Sequence, residues 1–531
     1  MSNAMGTSRF VRSAFILVAG LALAAPRPAG AQAPVISPTP ALPAQTTPTG
    51  PALQLTMTRA VEMALESNLG LESDRMTVED ASLAISSARS QFMPLLTTGI
   101  FRSSSRSIPG DFTQGALDIT SQGVNFTGSL AQTLPFLGTN YNVQYNGNRN
   151  TQLGGNPLFN PSLGSRLSFN VTQPLWRGFM TDPARANYTI SQRQRVNADV
   201  ELQQQITVLE ARVRNAYLDL ISAIQGLRVA QQNLEIVQTS LSQARQRVEV
   251  GAAAPIELIS AEADVARNQE RVIVAQAQIS TSEDILRTLV LDPDRQDYWQ
   301  VHIVPTDSIQ ADPRQIDLQA AIGTALTDRL DLAVLKRNLE IEDIQIRVSR
   351  DSTRPSVNAS LNYQSIGSGG TRLVYDDGFP PVLTDQITRG FGSVLGDAFG
   401  NAYPNWTVGV NVAYPIGRSF QEATYARAEV ARRQSTLELR QLELSIVQQV
   451  RDAARQVENT YQRVLVTRVA LRASEQQLDA EQRRFAAGLA TNLELQVRQQ
   501  ELANARINEL QAAIDYNRAL IQFERVQKTG Q

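Results

Sequence analysis

The sequence of 531 residues contains no cysteine and only one histidine, His302. This scarcity excludes thiol chemistry, disulfide bonds and metal sites built from cysteine and histidine. No grouping of a nucleophile with a base is recognisable among the other residues. The sequence therefore predicts a protein that is not an enzyme, with no catalytic or metal-binding residues and no cofactor. We interpret His302, in the alternating segment WQVHIVP, as a structural residue of a linker.

The sequence also lacks an excess of charge of either sign. Its formal net charge is −2, from 49 lysines and arginines against 51 aspartates and glutamates. A nucleic-acid-binding protein would need a basic face, so no nucleic-acid partner is expected. Beyond the N-terminus, no apolar run reaches the roughly 18 residues that a membrane-spanning helix needs.

The N-terminus has the pattern of a targeting segment. Arg9 and Arg12 precede the apolar run AFILVAGLALAA, and an Ala-Gly-Ala sequence follows at 29–31. This order of basic, apolar and small residues predicts a secretory signal peptide over residues 5–31 and an exported protein. Residues 32–52 contain six prolines without apolar periodicity, which predicts an extended proline-rich leader.

The most distinctive feature of the chain is a phrase that occurs twice. RVEVGAAAPIEL begins at Arg247 and RFAAGLATNLEL begins at Arg484, so that a shift of 237 residues superposes them. A shift of 261 residues aligns the earlier parts, for example Pro94 with Pro355. These matches predict an internal two-fold repeat, each copy reading helix, variable middle, long helix, glycine phrase and helix. The assigned segments are the first copy at 53–290, an equatorial linker at 291–313 and the second copy at 314–531.

Two long stretches predict helices, from about Ala184 to Val250 and from about Phe420 to Ala487. At ~1.5 Å per residue, each would span roughly 100 Å. Small and apolar residues in the second stretch follow the alternating spacing of four and three that is typical of a heptad seam. These positions are Ile446, Val450, Ala453, Val457, Thr460, Val464, Thr467, Leu471, Ser474 and Leu478. A ring of helices around a hollow and a coiled-coil rod both fit this pattern.

The variable middles alternate with the period of a β-strand. The segments SRLSFNVTQPLW, PSVNASLNYQ and NWTVGVNVAYP place apolar residues on one face and small uncharged polar residues on the other. Aromatic residues lie near the strand ends, as in membrane β-barrels, although a soluble sandwich shares the alternation. Two hairpins are too few to close a barrel, and open edges are not tolerated in a membrane. The sequence therefore predicts that several chains assemble.

The repeat, the two glycine phrases, TQPLWRGF at Thr172 and AYPIGRSF at Ala413 together resemble the TolC family of outer-membrane efflux proteins. The resemblance extends from about Leu53 to Lys528. It implies a mixed α/β membrane protein: a homotrimer with a twelve-stranded outer-membrane β-barrel, four strands per chain, continued by a periplasmic α-helical barrel. It further implies the outer membrane of a Gram-negative-type cell.

The implied function is that of a passive conduit in a tripartite efflux or type I secretion system, gated at its periplasmic tip. The implied partners are a periplasmic adaptor protein, an inner-membrane pump or exporter, and outer-membrane lipid. A periplasmic coiled-coil adaptor or structural protein is the alternative function. The exported substrate, whether drug, metal or protein, stays open.

The resemblance also assigns roles to the repeated phrases. They would form the helix-to-helix turns that dock the adaptor, at Arg247, Val250, Gly251, Ala252, Arg484, Gly488 and Leu489. Each copy keeps only part of the Val-Gly-Leu-like motif of the family. An arginine that locks the closed tip in some members is replaced here by Ala490. The junction between barrel and helices would lie at Pro174, Trp176 and Pro415.

Two glutamates follow the tip glycines by six residues, Glu257 and Glu494. The resemblance implies that they ring the periplasmic aperture, where like charges favour cations and raise one another's pKa. A favourable contact with the helix dipole is the alternative interpretation of a glutamate in a first turn. A further acidic position of the family is occupied here by Val497.

The first copy departs from the family between Pro94 and Pro174. Two extra alternating runs, VNFTGSL from Val124 and TNYNVQYN from Thr139, lie where the family has one hairpin. They fit either an elaborated extracellular hairpin or additional barrel strands. A total above twelve strands is one of the two outcomes.

Overall fold

The computed structural model describes residues 51–108, 117–252, 254–378, 382–414, 416–417 and 419–530. The predicted signal peptide, nearly all of the predicted leader and Pro415 lie outside these ranges. None of the described helices has both the length and the apolar character needed to cross a membrane.

Among the described residues, the helices recur in matching lengths. They are α1 (Met57–Ser67), α2 (Leu69–Ser90), α3 (Pro183–Glu249), α4 (Pro255–Val290), α5 (Leu318–Asp328), α6 (Leu330–Ser352), α7 (Phe391–Phe399), α8 (Phe420–Ala486) and α9 (Asn492–Lys528). Helices α1 to α4 have 11, 22, 67 and 36 residues, and α5, α6, α8 and α9 have 11, 23, 67 and 37. Both predicted long helices are confirmed to within one residue at each end.

The long helices begin at sequence signals that satisfy their free N–H groups. Asp182 caps α3 by accepting a hydrogen bond of 2.9 Å from the N–H of Arg185, and Pro183 fills the first helical position. Helix α8 starts with a capping box, in which Ser419 and Glu422 each accept a hydrogen bond from the other's backbone N–H. These caps explain why both helices start so close to the predicted residue.

The heptad seam of α8 faces the rest of the protein. All ten seam positions are buried or half-buried, and Ile446, Val450 and Val464 are completely so. They pack on α9 and, nearer the sheet, on α5 and α6, around the buried Tyr516. The predicted seam is therefore confirmed as a side-by-side helix contact.

The strands divide into one small pair and one large sheet. They are β1 (Ala52–Leu55), β2 (Leu95–Ser107), β3 (Ile119–Thr133), β4 (Asn140–Leu153), β5 (Phe159–Pro174), β6 (His302–Pro305), β7 (Ser356–Tyr375), β8 (Leu383–Arg389) and β9 (Pro404–Ala413). Strands β1 and β6 pair in parallel, and β1 begins at the last residue of the predicted leader. The others form one sheet in the order β2-β3-β4-β5-β7, with β8 and β9 both on the far edge of β7.

Strands β8 and β9 share a single position in this sheet. Strand β8 pairs with β7 at Gly370–Tyr375, and β9 pairs with it at Ser356–Ser365, both antiparallel. The sheet therefore has six strand positions, and every neighbouring pair in it is antiparallel. The expectation of four strands per chain is wrong, because the first copy adds two strands between β2 and β5.

The additional strands β3 and β4 belong to the sheet along their whole length. Strand β3 pairs with β2 over 13 residues and with β4 over 14 residues. The turn between them lies at the helical end of the sheet, where the side chain of Gln173 donates a hydrogen bond of 2.9 Å to the carbonyl of Leu137. The two extra runs are therefore strands of this sheet, which excludes a separate extracellular hairpin.

The two faces of the sheet differ in polarity. Strand β4 places Tyr141, Val143 and Tyr145 on one face, while asparagine and glutamine fill every second position on the other. Paired neighbours continue both faces; for example, Val143 lies between Leu130 and Phe169. The polar face lines a cleft with Asn125, Thr127, Asn146, Asn148 and Arg166.

Helix α7 packs on the apolar face, in the interruption between β8 and β9. Val394 and Ala398 are buried against β7 and β5. A Cβ atom at Gly367 would overlap the carbonyl oxygen of Val394, so glycine permits this close approach. The ring of Phe399 stacks on Tyr145 at a centroid distance of 5.9 Å. The segment between β8 and β9 thus folds back over the sheet to which both strands belong.

A buried ion pair near the end of α4 contacts the linker around β6. Arg287 Nη2 lies 2.8 Å from Glu283 Oε1, and both side chains are buried. His302 Nδ1 lies 3.3 Å from the other oxygen of Glu283. His302 therefore contacts a structural ion pair at the boundary of the two halves of the chain. No group of three or more metal-ligating side chains occurs among the described residues.

Candidate functional site: the helix tips and the barrel–helix junction

The turn between α3 and α4 ends α3 with a complete Schellman motif. The N–H of Ala252 donates to the carbonyl of Arg247 at 2.7 Å, and the N–H of Gly251 donates to that of Val248 at 3.0 Å. Gly251 has a φ of 74°, in the left-handed region that favours glycine. The arginine of the repeated phrase is therefore the residue whose carbonyl closes the helix.

The turn between α8 and α9 repeats this geometry. The N–H of Leu489 donates to the carbonyl of Arg484 at 2.9 Å, and the N–H of Gly488 donates to that of Phe485 at 3.0 Å. The φ of Gly488 is also 74°. The glycine phrase occurs twice in the sequence because the chain reverses direction through the same backbone turn after each long helix.

The two arginine side chains have different partners. The guanidinium of Arg247 lies over the ring of Phe485 with its Cζ 4.8 Å from the centroid, which links the ends of α3 and α8 by a cation–π contact. Arg484 lies 3.1 Å from Glu481 within α8. Glu481 is only 7% exposed, so Arg484 forms an ion pair with a buried carboxylate of its own helix.

Large aliphatic side chains project into solvent at both tips. Val250 is 79% exposed and Leu489 is 73% exposed, and Ala252 beside them is exposed too. Ile256 and Leu493, in the first turns of α4 and α9, are also exposed. Exposed apolar residues of this kind are common at sites of protein interaction.

The two predicted aperture glutamates lie in different surroundings. Glu494 belongs to a capping box, in which its Oε2 accepts hydrogen bonds from the N–H and the hydroxyl of Thr491 at 2.7 and 2.9 Å. The backbone hydrogen bond from Thr491, followed by its hydroxyl, lowers the pKa of Glu494. Glu257 is half-buried at the same helical position, but its N-cap residue, Ala254, offers no side-chain acceptor.

The predicted junction residues lie where the sheet meets α3. Pro174 is the last residue of β5, and the N–H of Leu175 donates to the carbonyl of Val357 at 2.8 Å. Trp176 is 51% exposed. The N–H of Gly178 donates to Asp351 Oδ2 at 2.7 Å, which ties the chain to the end of α6.

Family comparison identifies the chain once this architecture is known. The family model described as outer membrane efflux protein matches residues 60–290 and 321–526. The chain belongs to the outer membrane efflux protein family. Membership assigns it to the outer membrane with the role of an efflux channel, and the resemblance to TolC-family proteins is confirmed. A search among curated proteins found no significant match.

Solved structures share the fold of this outer membrane efflux protein. CusC is 14% identical with a TM-score of 0.64, and the match covers 89% of this chain and 92% of that one. The Campylobacter jejuni channel CmeC is 14% identical with a TM-score of 0.62, over 89% and 85% of the two chains. VceC from Vibrio cholerae is 14% identical with a TM-score of 0.61, over 89% and 96%.

Several residues that organise these sites in the efflux protein were not found from the sequence. At the junction, Arg185 donates hydrogen bonds to the carbonyls of Gly178 and Phe179 at 2.8 and 2.9 Å. The Asp-Pro pair that begins α3 was the available signal for this corner. At the tips, the missed residue is Phe485, whose contact with Arg247 joins two distant parts of the chain.

Proposed function

We propose that three copies of this chain form a passive outer-membrane channel that continues as a helical barrel into the periplasm of a Gram-negative-type cell. One observation carries the proposal: a single chain joins an antiparallel sheet with one polar and one apolar face to two helices of 67 residues. A polar lumen within an apolar exterior is the pattern of membrane barrels. The function of a periplasmic coiled-coil adaptor does not require a sheet with one polar and one apolar face.

Unpaired surfaces support the assembly of several copies. Strands β2 and β9 have exposed side chains along nearly their whole length and lie at the two edges of the sheet. Helices α4 and α8 carry exposed aliphatic residues away from the packed seam, among them Val274, Leu444 and Val466. In the proposed trimer these edges and stripes pack against the neighbouring copies.

The helix tips then face the periplasm in the proposed channel. The exposed Val250 and Leu489 form the surface for a periplasmic adaptor, which connects the channel to an inner-membrane pump or exporter. Such a system is a tripartite efflux or type I secretion system, and the tips are its gate. Glu257 and Glu494 from the three copies ring the aperture and favour cations.

Single-channel recording in a planar bilayer tests this function. Purified, detergent-extracted protein should give small cation-selective current steps, because the acidic ring is the narrowest part of the conduit. The double variant Glu257→Gln with Glu494→Gln should lose several-fold of its preference for cations over anions. Glu249→Gln, at an exposed site just before the turn, serves as a matched control. Folded protein that is soluble without detergent and never inserts would contradict the channel.

A further inference from the structure

The number of strands in each chain carries a further inference, which rests on the proposed trimer. The sheet has six positions, and its two edges, β2 on one side and β8 with β9 on the other, have no partner strand among the described residues of the chain. We propose that β2 of one copy pairs with β8 and β9 of the next. Six positions from each of three copies then close an eighteen-stranded barrel in place of a twelve-stranded one.

Strand direction permits this closure. Strand β2 leads away from α2, whereas β9 leads towards α8, so the two edges run in opposite directions relative to the helices. Neighbouring strands alternate in direction across all six positions. An even number of positions keeps the alternation unbroken from copy to copy. The extra pair β3–β4 therefore widens the sheet without disturbing its closure.

The register of the sheet gives the tilt that a closed barrel requires. When the paired residues are followed from strand to strand, Leu95, the first residue of β2, aligns with Thr407 on β9. Thr407 lies six residues before Ala413, the last residue of β9. A stagger of six residues over five interfaces corresponds to a strand tilt of about 40°, taking 3.3 Å per residue and 4.8 Å between strands. Closed barrels need a tilt of ~35–45°.

The two edges also match in their faces. Register places Ile100 of β2 on the apolar face with Phe126, and it places Val408 and Val410 of β9 on the same face with Leu361 and Ala359. Pairing of β2 with β9 would therefore join apolar to apolar and polar to polar. Helix α7 packs over β5 and β7, inward from the edge.

Crosslinking tests the closure, since a chain without cysteine supplies a clean background. Asn411, on the polar face of β9, is changed to cysteine together with one residue of β2. The four double variants use Leu95, Thr97, Thr98 or Gly99. Pairs with residues 95, 97 and 99 sample three registers on one face, and the pair with residue 98 is the opposite-face control. Oxidation should shift most of the assembled protein to covalent dimer and trimer in one register, and neither the control nor single variants should do so.

A second cysteine pair separates the two strand counts. Thr97 and Asn170 lie on β2 and β5, which have two other strands between them, so their separation is far beyond the ~7 Å limit between Cα atoms for a disulfide. In a twelve-stranded barrel β2 and β5 would be neighbours, and Thr97→Cys with Asn170→Cys would form a bond within one chain. That bond, or no covalent ladder in any register, would overturn the proposal.

Channel recordings on the same variants distinguish this failure from failure of the proposed function. Protein that conducts but crosslinks β2 to β5 remains a channel with twelve strands. Counting strands in end-on views of the unsubstituted assembly by electron microscopy provides an answer that depends on no substitution. Eighteen strands would support the inference, and twelve would reject it.

Discussion

The two helix tips have the same backbone and different side-chain contacts. Both reverse through a Schellman turn with a glycine at φ of 74°. Yet Arg247 reaches across to Phe485, while Arg484 neutralises Glu481 in its own helix. A capping box fastens Glu494 but not Glu257. The comparison teaches that the two tips share one backbone turn, whereas the side chains around it make different contacts.

Breaking the shared turn should have the largest effect, and it should be equal at both tips. Gly251→Val and Gly488→Val each force a β-branched residue into the left-handed region, at a cost of about 1–2 kcal/mol. A Cβ atom added at either glycine would meet no atom within 4 Å, so the loss is due to the backbone alone. Hydrogen exchange of the tip amides measures the local stability.

Asparagine variants of the same glycines are the controls, because asparagine tolerates this conformation far better than valine. Faster exchange at one tip only would contradict the equivalence of the two turns.

Breaking the contact between the tips should have a smaller effect. Arg247→Ala and Phe485→Ala each remove one partner of the cation–π pair, and a double-mutant cycle should give a coupling energy of about 0.5–1 kcal/mol. Chemical denaturation of the assembled protein measures the four free energies. Val248→Ala, at the position in the first copy that corresponds to Phe485, is the matched control. Additive effects of Arg247→Ala and Phe485→Ala would show that the contact contributes nothing.

The difference in capping should have the smallest effect and should depend on pH. The folded-state pKa of Glu494 is lowered, so its contribution to stability is present above the pKa of the unfolded chain and is lost as pH falls through the folded value. Thr491→Ala removes both of the hydroxyl's hydrogen bonds with Glu494 and should move the pKa of that carboxyl back up towards its ordinary value. Carboxyl titration followed by NMR measures that pKa.

Ala254→Thr sharpens the same comparison by offering the first tip the cap that it lacks. The new hydroxyl should accept a hydrogen bond from the first turn of α4, which should slow hydrogen exchange of the amides there. An unchanged pKa of Glu494 in Thr491→Ala would show that the threonine hydroxyl is not a cause of the lowered value.

Local sequence signals predicted the helices well. The ends of α3 and α8 were predictable because proline, capping residues and glycine mark them within a few residues of the chain. The seam of α8 was predictable because its period repeats over several turns. Thr491 followed three residues later by Glu494 is the signal of a capping box, and it would have favoured the helix-terminal role of Glu494 from sequence alone.

Features that depend on distant residues were harder to predict. The alternation from Val124 and Thr139 indicated extra strands, but only their pairing showed that they widen the sheet. The strand count taken from the resemblance was wrong because this chain departs from the family at that position. The contact of Arg247 with Phe485 joins residues far apart in sequence, and no local pattern encodes it.

The added strands β3 and β4 bear on how the sheet fits the helices attached to it. Four helices join the sheet at its helical end: α2 and α6 lead into it, and α3 and α8 lead out. Packed side by side at 8–10 Å, they occupy about 32–40 Å of circumference. Six strands at 4.8 Å spacing and a tilt of about 40° occupy about 38 Å, whereas four would occupy only about 25 Å. In the proposed trimer, six strands per chain would give the ring of strands the same circumference as the ring of helices, and the wall of the channel would pass from strand to helix without narrowing.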